Sequence, residues 1–561
     1  MMFKKTNSLL LAAVLAAVSP VFAQLNDGGS LPVSVQRAWT LPTTLRFAAP
    51  NLAQILREDQ AKEQAGGFER YGRIIATQIN PQTHGEWQIL ENGDKVWRLH
   101  IIADAAKAIS LHFDYFKLPA GAKMHVFNED KTRILGGFSM HNNHKTGFFA
   151  TSPLVGDAAI IEYYQPAYVA DEVYFNIYGL GYAYKNISRE QRETKEFGDA
   201  TACHVNVGCT EINGRTDQRD AVARISVIVD GSAGWCSGAM VNNTALDGTP
   251  YFLTALHCFL DNTNNVGTAS DLAQWSFDFN YQSANCNNPI LEPFANSLTG
   301  ATLRAHSDDG GGNTGSDFLL LELDNTPPVS YNAFYSGWDR NNTAPTNGYG
   351  IHHPAGDIKK ISSFSTSTSN SWQGTVQNTH WSLDWIATTN GHSVTMGGSS
   401  GSPIFNSNNQ ITGTLTGGSS DCDGSSYLDT YGKFSYHWDM NGSAANRKLQ
   451  PWLDPNNTGN AAIDGAYSQD LVSVNQTAAT QTLSVFPNPN KGVLFINLPT
   501  QIQGEMLITL TDALGRPVQQ QLENNNNQIA SVDIQQLPNG VYFVNIQAGA
   551  QQYSQKIILQ K

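Results

Sequence analysis

Between residues 24 and 197, apolar and polar side chains alternate in short runs broken by Gly, Pro and Asn. The clearest are Val96-Trp97-Arg98-Leu99-His100-Ile101, Ser110-Leu111-His112-Phe113-Asp114-Tyr115-Phe116, Lys123-Met124-His125-Val126-Phe127 and Ala159-Ile160-Ile161-Glu162-Tyr163-Tyr164. A period of two sends neighbouring side chains to opposite faces of a strand, so these runs predict an antiparallel sandwich. Only Asn51 to Gln64 has helical character. A polar, charge-mixed stretch from Ser188 to Lys195 reads as an exposed connector. Short strands and Gly/Asn turns then continue through residues 198–465. Residues 466–481 lose the alternation and are rich in Ser, Gln, Thr and Ala, as a linker is. Alternation returns over 482–561, in Leu483-Ser484-Val485-Phe486, Val493-Leu494-Phe495-Ile496, Met506-Leu507-Ile508-Thr509-Leu510 and Val541-Tyr542-Phe543-Val544-Asn545-Ile546. The pattern predicts an all-β chain.

The N-terminus breaks this pattern. Lys4 and Lys5 precede an apolar run from Leu9 to Val18, and Val21-Phe22-Ala23 offers the small residues of a cleavage site. Residues 1–23 therefore read as a signal peptide, too short for a membrane anchor. The chain has 561 residues, more than one ordinary core holds. Its net charge of -14 makes it a poor partner for nucleic acid. Six cysteines, an even count in an exported chain, imply disulfides. Counting leaves the connectivity open. All six lie between 203 and 422, so a disulfide-bearing domain sits between two cysteine-free flanks.

Three segments of that domain carry candidate chemistry. In Tyr251-Phe252-Leu253-Thr254-Ala255-Leu256-His257-Cys258, an apolar strand ends at a histidine. In Gly315-Ser316-Asp317-Phe318-Leu319, an Asp precedes a buried strand. In Gly397-Gly398-Ser399-Ser400-Gly401-Ser402-Pro403-Ile404-Phe405, a serine sits among small residues, where the backbone turns sharply and amides converge. Taken singly, these read as a structural histidine, a turn acid and a Gly/Ser loop. Together they follow the order His, Asp, Ser of chymotrypsin-like proteases. A serine hydroxyl needs an adjacent base, a histidine titrates where it can take and return that proton, and a carboxylate orients the imidazole. His257, Asp317 and Ser400 are the expected triad, with the amides of Gly398 and Ser400 as oxyanion donors.

From about Gly198 to Gly465 the chain resembles the bacterial lysyl endopeptidase family, a branch of the trypsin-like double β-barrel proteases. The motifs are Met240-Val241-Asn242-Asn243, Tyr251 to Ala255, Ser316-Asp317-Phe318, Gly337-Trp338-Asp339-Arg340, Ile351-His352-His353-Pro354, Gly398 to Pro403 and Trp452-Leu453-Asp454-Pro455. The resemblance implies the pairs Cys203–Cys422, Cys209–Cys286 and Cys236–Cys258. It places the pocket acid beyond the last cysteine, at Asp429, because the position used by trypsin reads Val394. It matches Trp372 to a tryptophan that stacks on a histidine beside the pocket. The histidine position reads Thr416, a departure expected to remove the stacking partner.

The flanks resemble known elements as well. Residues 24–197 hold the place of a propeptide, with Lys195 as a candidate processing site and Glu196 as the new terminus. Phe486-Pro487-Asn488-Pro489, Pro538-Asn539-Gly540 and the end at Lys561 resemble the sorting domain of type IX secretion. The expectation is an all-β chain with a β-rich propeptide, a trypsin-like double β-barrel and a small β-sandwich. Its expected activity is hydrolysis after lysine, in a monomeric zymogen exported from a Gram-negative bacterium to the medium or outer surface. Its expected partners are basic-residue protein substrates and the type IX machinery, without a transmembrane segment in the mature chain. Arginine or mixed basic specificity, and an inactive adhesin on the same fold, are the alternatives. No cofactor or metal is expected: adjacent His352 and His353 face opposite sides of a strand, and Asp308 to Asn313 reads as a polar loop. Ser399 stands where many trypsin-like zymogens carry an Asp that binds the new N-terminal amine, so activation is expected to work without that ion pair.

Overall fold

The computed structural model describes residues 31–472 and 484–561, apart from 65–66, 170–172, 188–199, 262, 290–292, 294, 375, 487, 489, 498–503, 513–515, 526–528 and 549–550. The signal peptide, the whole expected connector with Lys195, and Glu196 lie outside the described residues.

The first unit is a sandwich. One sheet holds Thr44–Phe47, Lys95–Ala103, Ala158–Gln165, Lys123–Phe127 and Ile134–Phe138 in that order, with Glu86–Ile89 also on Lys95–Ala103. The opposing layer is Glu69–Ile79, Phe175–Ala183 and Ala108–Phe116. Their inner faces bury Trp97, Leu99, Ile101, Phe113, Phe175 and Tyr163 in one core, which is why those runs alternate. Thr44–Phe47 runs parallel to its neighbour. Alternation reports which face is buried and says nothing of strand direction. The helix is Leu52–Gln64.

The middle unit consists of two barrels. In the first, pairing runs from Asn296–Thr299 through Ser276–Phe279, Val222–Val229, Ser232–Met240, Tyr251–Thr254 and Leu319–Leu323 to Ala301–His306. The end strands adjoin at Gly300, which takes φ +89. The second barrel closes on itself: Pro403–Asn406, Gly348–His352, Lys360–Asn370, His380–Ile386, Leu428–Lys433, Ile411–Gly418, then Pro403–Asn406 again. Closure removes unpaired edges. The three disulfides are Cys203–Cys422, Cys209–Cys286 and Cys236–Cys258, the pairs the resemblance implies.

Two boundaries differ from expectation. Residues 466–472, assigned by composition to the linker, belong to the folded domain. Ala466–Tyr467 pair with Phe334–Tyr335, and Leu471, 2% exposed, enters the first-barrel core. A polar average over this stretch hides one apolar side chain with a prepared site. The sheet of the first unit also does not stop at the domain boundary. Glu69–Ile79 pairs with Ser232–Met240, so one sheet spans both units. The C-terminal unit is a sandwich of a three-stranded and a four-stranded sheet around Leu494, Ile496, Ile508, Val532, Val544 and Ile557. Among the described residues, no helix is long and apolar enough to cross a membrane.

The seam between the first unit and the first barrel buries a titratable group. His112 Nδ1 donates to Gln274 Oε1 across the seam at 2.9 Å, and its Nε2 accepts from the Ser110 hydroxyl. Burial lowers its pKa from 6.5 to about 4. The folded chain thus keeps His112 neutral where the unfolded chain binds a proton, and stability is lost as pH falls from 6.5 towards 4. The full effect is about 3 kcal/mol. Thermal unfolding of the full chain should show this acid slope, and His112→Gln should flatten it.

Candidate active site

His257 lies in the short turn Leu256–Phe259 that follows strand Tyr251–Thr254, next to Cys258 and its bridge to Cys236. Asp317 immediately precedes Phe318 and the buried strand Leu319–Leu323, and is itself fully buried. The two hydrogen bonds His257 makes among the described residues both go to Asp317. The His257 amide donates to Oδ1 at 3.0 Å and Nδ1 donates to Oδ2 at 2.7 Å. That pair fixes the imidazole tautomer, leaving Nε2 to take a proton.

Asp317 adopts φ +58, a conformation that side chains with a Cβ rarely take. It is held there by a residue the sequence reading missed. Asp309 accepts the Asp317 amide on Oδ2 at 2.7 Å and the Gly311 and Gly312 amides on Oδ1. The loop read as a polar stretch of calcium-like composition is thus a cradle for Asp317. Burial and the adjacent Asp317 charge push the Asp309 carboxyl upward, and its amide donors oppose that. On the other side, Ser316 Oγ meets His437 Nδ1 at 2.8 Å and accepts from Asn441 at 2.8 Å; His437 continues to Thr414. The signal for Asp309 was the doublet Asp308-Asp309 ahead of three glycines. Nothing in the sequence marks His437, 120 residues downstream of Asp317, as its neighbour.

The nucleophile turn rests against this assembly. Ser237 donates its amide to the Ser400 carbonyl at 2.8 Å and its hydroxyl to the Gly398 carbonyl at 2.9 Å. A Cβ on Gly401 would stand 2.7 Å from the Ala255 amide nitrogen, so only glycine lets the turn approach the histidine segment this closely. Gly398 takes φ +90. The Gly397 carbonyl accepts from Ala355, and the Ser399 amide donates to Met396. The amides of Gly398 and Ser400 carry no hydrogen bond among the described residues. The Ser400 hydroxyl is not closed onto His257, a contact that tightens in many enzymes only when substrate arrives.

Ser399 is fully buried and meets His352 Nδ1 at 2.8 Å; His352 Nε2 meets Ser362 Oγ, which donates to Ser393. Burial drives the His352 pKa well below 6.5, with His204 and Lys360 adding to the effect. A neutral imidazole therefore occupies the surroundings of Ser399. His353 points elsewhere, to the Asp357 carbonyl. Cys203, His204 and Cys422 cluster, but both sulfurs are spent in a disulfide.

Asp429, 1% exposed, lies on the strand Leu428–Lys433. Its Oδ2 accepts from Trp385 Nε1 at 2.5 Å, Thr395 Oγ1 at 2.6 Å and Ser420 Oγ at 2.8 Å. Burial raises its pKa, and these donors offset part of the rise. Thr395, one of these donors, is five residues before Ser400. A Cβ on Gly418 would come within 1.9 Å of Asp429 Oδ1, so glycine is required there. Val394 is buried in the second-barrel core.

Trp372 lies over Gly417, whose added Cβ would be 2.8 Å from the indole. His380, at the start of the strand His380–Ile386, has its ring 6.5 Å from that of Trp372 and tilted by 38° rather than stacked on it, and its Nε2 meets Thr416 Oγ1 at 3.1 Å. Burial lowers the His380 pKa to about 4, against the pull of Asp317.

Residues 197–432 match the family model of the lysyl endopeptidase C-terminal domain, and residues 484–560 match the secretion system C-terminal sorting domain. Lysyl endopeptidase from Pseudomonas aeruginosa is 31% identical over 241 residues, covering 40% of this chain and 47% of that protein. The chain thus spans about half the length of that curated relative. Similar solved structures include the thermostable serine protease AL20 from an extremophilic microorganism (14% identity, 39% of this chain, 92% of that one, TM-score 0.29). Another is the protease Anisep from Arthrobacter nicotinovorans (17% identity, 38% of this chain, 90% of that one, TM-score 0.28). These are the families the motifs and the tail resemble.

Asp309→Ala should release three buried amides, at a cost of about 1–3 kcal/mol. Reaction of Ser400 with an organofluorophosphonate should slow by roughly 10- to 100-fold, read as the rate of adduct formation by intact mass.

Proposed function

We propose that the chain is a secreted serine endopeptidase, made with an N-terminal propeptide, that hydrolyses peptide bonds on the carboxyl side of lysine. The buried bond from His257 to Asp317, beside a turn presenting two unspent amides at Ser400, carries the reading. Ser400 Oγ attacks the substrate carbonyl while His257 Nε2 takes its proton. The oxyanion of the tetrahedral intermediate lies against the Gly398 and Ser400 amides. His257 returns the proton to the leaving amine, the C–N bond breaks, and an acyl-serine remains. Water, deprotonated by the same imidazole, attacks the ester and frees Ser400. Each oxyanion donor is worth about 10²- to 10³-fold in rate.

Lysine is favoured over arginine by how Asp429 is held. Three donors already occupy Oδ2, while the Ser420 amide approaches Oδ1 only at 3.4 Å. One facing oxygen suits the point charge of an ammonium; a guanidinium is best met by two. The tail match and the early apolar run support export to the cell surface or beyond through the type IX machinery.

Ser400→Ala should lower turnover by about 10⁶-fold with the fold intact. A cleavage-site profile on denatured proteins should show cuts after lysine for the wild type, with that preference lost in Asp429→Asn. Cuts without regard to basic residues in both would remove the pocket assignment.

A further inference from the structure

When a folded chain must bury a cation, arginine is the better choice and lysine the worse. An ammonium is compact and strongly hydrated, whereas a guanidinium is planar and weakly hydrated. The first unit obeys this order. Among its described residues no lysine is buried, while Arg70 and Arg98 are. The middle unit inverts it. Residues 200–472 contain four lysines and six arginines. Lys359, Lys360 and Lys433 are 0%, 4% and 1% exposed, whereas Arg215, Arg219, Arg304, Arg340 and Arg447 are only partly buried. Each buried ammonium is given acceptors. Lys359 Nζ donates to the Arg219 carbonyl at 2.7 Å, and Lys360 Nζ to Asn206 Oδ1 at 2.7 Å. Lys433 Nζ donates to Asn342 Oδ1 at 3.0 Å and Ser369 Oγ at 2.5 Å. Burial still lowers the Lys359 pKa to about 7. The fourth lysine, Lys448, is half-buried, but Leu449 after it is fully buried and donates its amide to the His437 carbonyl at 3.0 Å. Ile361 and Phe434, which follow Lys360 and Lys433, are buried as well. All four lysyl bonds of the middle unit are thus closed, by an arrangement that ordinary burial preferences oppose.

We propose that the middle unit is built to withhold its lysyl bonds from its own activity, and that the first unit is its substrate, cut between Lys145 and Thr146. The inference rests on the lysine reading given above. Lys145 is exposed, and its backbone makes no hydrogen bond among the described residues. The other exposed lysines of the first unit are less open. Lys95 lies in the strand Lys95–Ala103, and Lys107 has both backbone groups bonded, to Ala183 and Gly156. Lys117 precedes the buried Leu118 and then Pro119. The turn around Lys145 is closed by the Gly147 amide on the His144 carbonyl at 2.9 Å and the Thr146 amide on His144 Nδ1 at 3.2 Å. Little must open for it to enter a cleft. Water adds across the Lys145–Thr146 bond, leaving a carboxylate on Lys145 and an amine on Thr146. The cut falls between the strands Ile134–Phe138 and Phe149–Ala150, whose Phe138 and Phe149 rings pack 5.1 Å apart in that unit's core. It also follows His144, whose Nε2 meets Asp324 of the middle unit at 3.0 Å. One hydrolysis therefore opens the first unit where it touches the barrel. Arginine supplies surface charge to the middle unit because a lysine-specific enzyme passes it by.

The test uses the full chain carrying Ser400→Ala as a folded substrate, with the processed, secreted enzyme in catalytic amount. Fragments are read by intact mass and N-terminal sequencing. A new terminus at Thr146 is expected, with residues 200–472 left whole, and Lys145→Arg in the substrate should abolish that terminus. Thr343 lies in an exposed loop ahead of the strand Gly348–His352 and offers the reverse experiment. Thr343→Lys in the same chain should open a cut before Ala344, at least tenfold faster than any in the parent middle unit, and Thr343→Arg should stay whole. Cleavage of the folded parent after Lys359, Lys360, Lys433 or Lys448 as fast as in the first unit would overturn the proposal. So would a first unit uncut after Lys145, or an uncut Thr343→Lys chain, from an enzyme that still cuts a denatured protein after lysine. Loss of lysine preference on the denatured protein would instead remove the reading on which the proposal rests.

Discussion

A fully buried carboxylate organises this molecule. Asp317 receives the amide and the ring of His257 on its two oxygens, and its own amide is held by a second buried acid, Asp309. Burying one ionised carboxylate is costly unless donors surround it, and burying two close together is costlier. The surroundings follow from that requirement. Three consecutive glycines at 310–312 all take positive φ, which lets two of their amides turn onto Asp309. Ser316 is fixed by His437 and Asn441 from the end of the domain. Gly432 must lack a side chain, because a Cβ there would meet the Ser316 carbonyl at 1.8 Å.

The same pressure explains the neutral histidines. His352, His380 and His437 are each buried where a charge would be unsupported, and burial lowers the pKa of all three. They act as hydrogen-bonding struts: His352 between Ser399 and Ser362, His380 between Thr379 and Thr416, His437 between Ser316 and Thr414. A strut with two ring nitrogens joins two segments without a charge: His352 ties the turn of Ser399 to the strand Lys360–Asn370, and His437 ties Ser316 to the strand Ile411–Gly418. Closed barrels supply the rigidity on which such struts depend.

Edge management links the catalytic domain to its flank. The second barrel closes, but Ser232–Trp235 in the first would expose backbone donors and acceptors beside the turn of Ser400. The first unit covers them with its own strand and extends the sheet across the domain boundary. Edge strands left open invite pairing with other chains.

Local chemistry in the sequence was enough to find the strands, and to single out His257, Asp317 and Ser400 as residues worth comparing. Alternation depends only on which face is buried, and each of those three sits in a short segment of unusual composition. The cysteine pairs followed from resemblance, since six thiols by themselves leave the connectivity open. Tertiary structure decided the rest. Asp309, His380 and His437 act through neighbours far along the chain or on another strand, and no local pattern marks them. Composition misplaced 466–472 because the burial of Leu471 depends on a cavity built by distant strands. The continuity of the first unit's sheet with the barrel was equally invisible, because Glu69–Ile79 and Ser232–Met240 are far apart along the chain and no local pattern names a strand's partner.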